Sequence, residues 1–186
     1  MATKKSISSL EESGMKRVLV VGNLATGKST VTCKIAARLN LPAYHLDSHF
    51  WKPGWNMPDK GEWSAWVNRA VLKEEWILDG NYPSSLLHRA SRADTLVFIE
   101  LPCYVSLYRY LRRTASRSRS GQADIPYGAD ESIRLRNIRA IFRFSQDVHP
   151  KILEAAALVP SVLVFKSTEA AMDWAVQLAP DDELRP

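Results

Sequence analysis

Eight residues near the start of the chain constrain its fold more than any others. They are Gly22-Asn23-Leu24-Ala25-Thr26-Gly27-Lys28-Ser29, and they follow the unbroken apolar run Val18-Leu19-Val20-Val21. An apolar run of this kind, closed by glycine, reads as a strand over 17–21 buried on both faces. The residues from Lys28 to Leu39 take helical spacing, with Val31, Ile35, Ala36 and Leu39 on one side. The spacing between strand and helix is G-x-x-x-x-G-K-S, the Walker A pattern of a P-loop. Glycines permit the backbone angles needed to wrap a polyphosphate in N–H groups and keep side chains out of its way. The helix beginning near Lys28 aims its unpaired N–H groups and the positive end of its dipole at the anion. Lys28 adds a mobile charge near the β- and γ-phosphates, and the Ser29 hydroxyl can ligate Mg²⁺. The expected cofactor is therefore ATP with Mg²⁺. Its expected contacts are Gly22, Asn23, Leu24, Ala25, Thr26, Gly27, Lys28, Ser29 and Thr30.

The rest of the chain alternates strand-like and helix-like segments. Strands are expected at 43–47, at 76–78 running into Asp79-Gly80, at 95–101 and at 161–165. Helices are expected at 62–72, 105–118, 132–157 with an interruption near Pro150, and 168–178. Residues 50–59, with Trp51, Pro53, Gly54, Trp55 and Pro58, read as an aromatic loop. Alternation of this kind argues for a parallel sheet covered on both faces, with ligands at the carboxyl ends of the strands. The P-loop, Asp47 at the end of the second strand and Asp79 at the end of the third all fall on that edge. Asp79 is a candidate Mg²⁺ carboxylate, and Asp47 a candidate to orient or deprotonate an acceptor hydroxyl. Trp51 and Trp55 are candidate walls of an acceptor pocket. Trp63 and Trp66, at helical spacing, read as core. His45 and His49 flank Asp47 without a metal-ligand spacing.

The net charge of +5 is unevenly spread. Residues 109–143 hold nine arginines, no lysine and three acids, a local +6 that leaves the remainder at −1. Arginine favours bidentate recognition of phosphate or carboxylate. Arg109, Arg113 and Arg117 share one helix face, and Arg136, Arg139 and Arg143 share another. Two such helices joined by a short segment at 121–128 are expected to form a lid over phosphates. A nucleic-acid surface is the competing reading, with Tyr108, Tyr110, Phe142 and Phe144 either stacking on bases or facing the core. Hydrophobic residues make up 46% of the 186, and none of the apolar runs approaches the length of a membrane span. Residues 1–15 and 180–186 are expected to be disordered tails around one domain over 16–179. Cys33 and Cys103 cannot form a disulfide framework and are expected to be buried, reduced thiols of a cytoplasmic protein.

The order of these elements resembles that of the adenylate kinase-like small-molecule kinases. It is most similar to the adenylate kinase-related group known as DNA topology modulation proteins. The resemblance rests on Tyr44-His-Leu-Asp47, Phe50-Trp-Lys-Pro-Gly-Trp55, Trp76-Ile-Leu-Asp-Gly-Asn-Tyr82 and Arg92-Ala-Asp-Thr-Leu-Val-Phe-Ile-Glu-Leu-Pro102. It implies a three-layer α/β P-loop fold whose five-stranded parallel sheet has the order 2-3-1-4-5, with a small helical lid over about 109–143. It implies Arg109 near the adenine, Arg113 on the phosphates, and Arg136 on phosphate after the lid, with Arg139 or Arg143 as alternatives. Two departures bear on the acceptor. Asn81 stands after Asp79-Gly80, with Ser84 rather than arginine after Pro83, and the tryptophan loop replaces the arginine that would grip a nucleoside monophosphate. The expected function is ATP-dependent phosphoryl transfer to a small acceptor by Lys28, Asp47, Asp79, Arg113 and Arg136. A nucleotide-gated nucleic-acid-binding regulator of DNA topology is the alternative, and a P-loop protein that binds nucleotide without chemistry a third reading.

Overall fold

The computed structural model describes residues 14–52, 56–120 and 135–178, with the side chains of 117–120 outside that description. Residues 1–13 and 180–186 of the expected tails, Trp55, the side chain of Arg117 and the whole 121–128 joint of the expected lid lie outside the described residues.

Five strands form one parallel sheet: β1 (Arg17–Gly22), β2 (Ala43–His45), β3 (Trp76–Asp79), β4 (Thr95–Ile99) and β5 (Ser161–Phe165). Their order is β2-β3-β1-β4-β5, as the resemblance implies. Eight helices are described: α1 (Lys28–Leu39), α2 (Leu46–Phe50), α3 (Lys60–Val71), α4 (Pro83–Ala90), α5 (Cys103–Ser120), α6 (Leu135–Asp147), α7 (His149–Ala156) and α8 (Thr168–Gln177). Side chains alternate across the sheet. Val18 and Val20 join Ile77, Val97 and Leu163 on the face covered by Val31 and Ile35 of α1 and Ala171 and Ala175 of α8. Leu19 and Val21 join Leu78, Leu96 and Phe98 on the face covered by Trp63 and Val67 of α3, Leu86 of α4 and Ile152 of α7. The result is a three-layer α/β P-loop fold. Val18, Leu19, Val20 and Val21 are all fully buried. Burial of side chains this size is worth about 1.5–3 kcal/mol each, which accounts for the apolar run at the centre of the sheet.

Several expected boundaries move. The second strand stops at His45, and Asp47 lies in the first turn of α2. Apolar-polar alternation in Tyr44-His45-Leu46-Asp47 mimics a longer strand, but the chain turns helical once His45 has paired with Asp79 in the sheet register. The interruption expected near Pro150 is present: among the described residues α6 ends at Asp147 and α7 begins at His149, with Pro150 in its first turn, where its missing N–H is harmless. α4 was not expected. Cys33 and Cys103 are exposed rather than buried. Cys33 sits beside the buried stripe of Val31, Thr32 and Ile35, on the outward side of α1. No described helix is long and apolar enough to cross a membrane.

Candidate active site

The carboxyl edge of β1, β3 and β2 carries the site. β1 delivers Gly22 into the loop, and α1 begins at Lys28 behind Gly27, whose φ is 83°. That angle lies where side chains are disfavoured, and a Cβ there would meet Thr168 Cγ2 at 2.6 Å. A Cβ on Gly22 would meet Ile99 O of β4 at 2.5 Å. Both motif glycines are thus required by close approach. α1 has no side-chain cap at its N-terminus, so its first N–H groups remain available to an anion.

The loop is braced from three sides. Asn23 is buried and donates through Nδ2 to Ile141 O of α6 at 3.0 Å, and Thr26 Oγ1 donates to Asn23 O at 2.9 Å. Thr168 Oγ1 at the start of α8 donates to Thr26 O at 2.9 Å. Asn81 pairs with both polar groups of Gly22. Gly22 N–H donates to Asn81 Oδ1 at 3.1 Å, and Asn81 Nδ2 donates to Gly22 O at 2.8 Å. Leu24 and Ala25 are half-buried, Ala25 with φ 58°, while Ser29 and Thr30 are exposed.

Lys28 Nζ donates to Asn23 O at 2.8 Å. Burial pulls its pKa below the ordinary 10.5, the charges of Asp47 and Asp79 push it back up, and the Arg113 guanidinium lowers it again. Three charged groups, from α2, β3 and α5, thus act electrostatically on this one lysine. Asp79 is buried, and His45 Nδ1 sits 2.9 Å from its Oδ2. This bond raises the His45 pKa above 6.5, against the opposing effect of burial. Asp47 is exposed and accepts from Tyr82 Oη at 2.6 Å. Burial, then the Asp47 charge, keeps the Tyr82 phenol protonated well above the ordinary tyrosine range. Among the described residues no three His, Cys, Asp or Glu side chains cluster as a metal site.

An aromatic group borders Asp47. The Phe50 ring lies 4.7 Å from Tyr82, 5.0 Å from Trp63 and 5.0 Å from Trp51 between centroids. Trp63 is core, as its spacing predicts, and Trp66 packs half-buried against it. The Arg136 guanidinium stands over the Trp51 ring, 5.3 Å from its centroid.

The arginines divide. Arg113 is exposed and faces Lys28 electrically. Arg109 bonds Thr168 Oγ1 and, through Nη2 at 2.9 Å, Glu169 Oε1 at the head of α8. Arg143 is engaged by Asp147 one turn on, at 2.8 Å, and Arg139 acts electrically on the same carboxylate. Of the interleaved aromatics, Tyr110 and Phe144 are buried and Tyr108 and Phe142 exposed. Two features of the site escape a reading by residue type. The His45–Asp79 contact is visible only through the register that sets those residues side by side. Arg89, on α4, is fully buried and reaches the carbonyls of Gly80 at 3.0 Å, Asn81, and Tyr82 at 3.4 Å, with Ser85 Oγ at 3.2 Å.

No family model and no curated protein matches the chain. Solved structures do. A shikimate kinase from Acinetobacter baumannii in complex with shikimate aligns at a TM-score of 0.56 and 16% identity, over 90% of this chain and 92% of that one. A shikimate kinase from Bacteroides thetaiotaomicron aligns at 0.50 and 16% identity, over 88% and 96%. A gluconokinase from Sinorhizobium meliloti 1021 aligns at 0.49 and 17% identity, over 88% and 93%. The strand order together with the first two likenesses shows that this chain has the fold of the P-loop kinases.

Proposed function

We propose that this protein transfers the terminal phosphoryl group of MgATP to a hydroxyl of a small acceptor. The placement of Lys28, Asp47 and Asp79 at the carboxyl edge of the sheet carries the reading: Lys28 opens α1 behind the loop, Asp79 ends β3 beside β1, and Asp47 lies in α2 directly after β2. The backbone from Gly22 to Thr30 wraps the triphosphate. The side chains of Asn23 and Thr26 are used inside the protein, which leaves their contribution to the backbone. Lys28 exchanges Asn23 O for the β- and γ-phosphates. The hydroxyl of Ser29 and the carboxylate of Asp79 are hard oxygen donors of the kind Mg²⁺ takes. Bound there, the ion would neutralise phosphate charge. Asp47 orients or deprotonates the acceptor, and Arg113 and Arg136 offset charge on the group in transfer. Arg109, beside the loop and α8, suits the base side of the nucleotide.

A fold relative that is a shikimate kinase in complex with shikimate supports an acceptor of small-molecule size. So does the sequence resemblance to adenylate kinase-related proteins. Trp51, with Arg136 over its ring, frames the acceptor side in place of an arginine grip. Two exposed, unpaired thiols fit a reducing compartment such as the cytoplasm.

The test is Asp47→Asn. Phosphoryl transfer is expected to fall by about 100-fold, while MgATP affinity measured by calorimetry stays within about twofold. Equal loss of both would move Asp47 from the reaction to the framework of the site.

A further inference from the structure

Arg89 is the one described arginine that is fully buried, and among the described residues no carboxylate pairs with it. Burial pushes its pKa down to about 9, so it remains charged at neutral pH. A buried cation without a counter-charge is expensive, and an apolar side chain of similar volume would fill the same space without that penalty. What the guanidinium does instead is collect carbonyls. Nη1 donates to Gly80 O, Nη2 to Asn81 O and Tyr82 O, and Nε to Ser85 Oγ. Three consecutive carbonyls turned toward one fork curl residues 80–82 tightly. The curl has φ of 123° at Gly80 and 34° at Tyr82, both outside the range that side chains prefer.

This curl lets Asn81 reach back across the edge of the sheet. Its carboxamide satisfies both the N–H and the C=O of Gly22, where β1 becomes the phosphate loop. Gly22 is pressed from the other side by Ile99 O, with no room for a Cβ, so the entry to the loop is held between β4 and Asn81. A planar guanidinium holds consecutive carbonyls in a fixed fork, a geometry that the compact, rotatable ammonium of lysine does not impose.

We infer that Arg89 is a positioning residue for the phosphate loop, acting through the Asn81 side chain on Gly22. The inference rests on the nucleotide site of the proposed function. It takes MgADP as the probe, so it needs no acceptor. Arg89→Lys, shown to be folded by circular dichroism, binds MgADP about tenfold more weakly than the unmodified chain. Its Gly22 amide proton resonance moves in the same direction as in Asn81→Ala. Asn81→Ala also loses about tenfold in affinity, and adding Arg89→Lys to it costs nothing more, because the route from arginine to loop is already cut. Native MgADP affinity in Arg89→Lys, or the same further loss in the Asn81→Ala background, overturns the inference. If Arg89→Lys does not fold, Arg89→Gln takes its place in the same cycle, and native affinity in Asn81→Ala alone is then sufficient to overturn it. Failure of the unmodified chain to bind MgADP is a different result, one that contradicts the nucleotide site itself.

Discussion

Tyr82 sits in a backbone conformation that its own chemistry opposes. Its φ of 34° is rare for a bulky residue, and it precedes Pro83, which disfavours compact conformations in its neighbour. Strain of this kind costs about 1–3 kcal/mol and persists where surrounding contacts over-determine it. Here the carbonyl is held by Arg89 and by the N–H of Ser85, the ring packs on Phe50 and Trp63, and the hydroxyl reaches Asp47. Tyr82→Phe keeps the ring and removes only the bond to Asp47. Transfer to the acceptor is expected to fall by about tenfold with MgADP affinity unchanged, because Asn81 and Gly22 are untouched. A parallel loss of MgADP affinity would show that Tyr82 supports the loop rather than the acceptor carboxylate. The positions of the candidate residues were legible: Lys28 opens α1, Asp79 ends β3, and Asp47 stands at the same edge, though in α2 rather than at a strand end. Arg89 was not, because an arginine in an otherwise ordinary helix reads as surface until its partners, all backbone carbonyls, are seen.

Among the described elements, α8 links the arginine helix α5 to the phosphate loop. Ser167 caps it by accepting from Ala170 N–H at 3.1 Å, Thr168 bonds Thr26 O, and Arg109 spans to Thr168 and Glu169. The Glu169 carboxyl is held below the ordinary 4.5, first by its own backbone N–H and then by Arg109. A depressed carboxylate stabilises the fold above its unfolded value, and that share is lost as pH falls through the lowered one. Glu169 is largely exposed, so the effect is small. Glu169→Gln should lower Tm by about 1–2 °C near neutral pH, and the difference should vanish at a pH well below 4.5. A difference that persists in acid would mean that the side chain acts by packing. The same elements show how far pattern reading extends. β1, β5 and α1 are fully apolar or cleanly periodic, and their ends are where the sequence puts them, to within a residue. α4 has no such signal. It is eight residues long, its first turn is Pro83-Ser84-Ser85, and the buried Arg89 interrupts the apolar stripe of Leu86 and Ala90.

At the scale of the whole molecule, the sheet does the organising. Order β2-β3-β1-β4-β5 puts the loop strand at the centre, with the carboxylate strand β3 on one side and the wall behind Gly22, β4, on the other. The surplus positive charge of the chain lies in 109–143, and the described helices α5 and α6 bring Arg113 toward Lys28 and Arg136 toward Trp51. On the proposed function, this distribution would serve an anionic nucleotide on one side and a small acceptor on the other. The most direct measurement is ADP release from MgATP, with and without a panel of nucleosides, nucleotides, sugars and small hydroxylated metabolites, in the unmodified chain and in Lys28→Ala. The account predicts that at least one compound stimulates release and gains a phosphoryl group. It predicts that Lys28→Ala, still folded, loses at least about 100-fold of that activity. Slow hydrolysis that no compound stimulates, or full stimulated turnover in a folded Lys28→Ala, would contradict it.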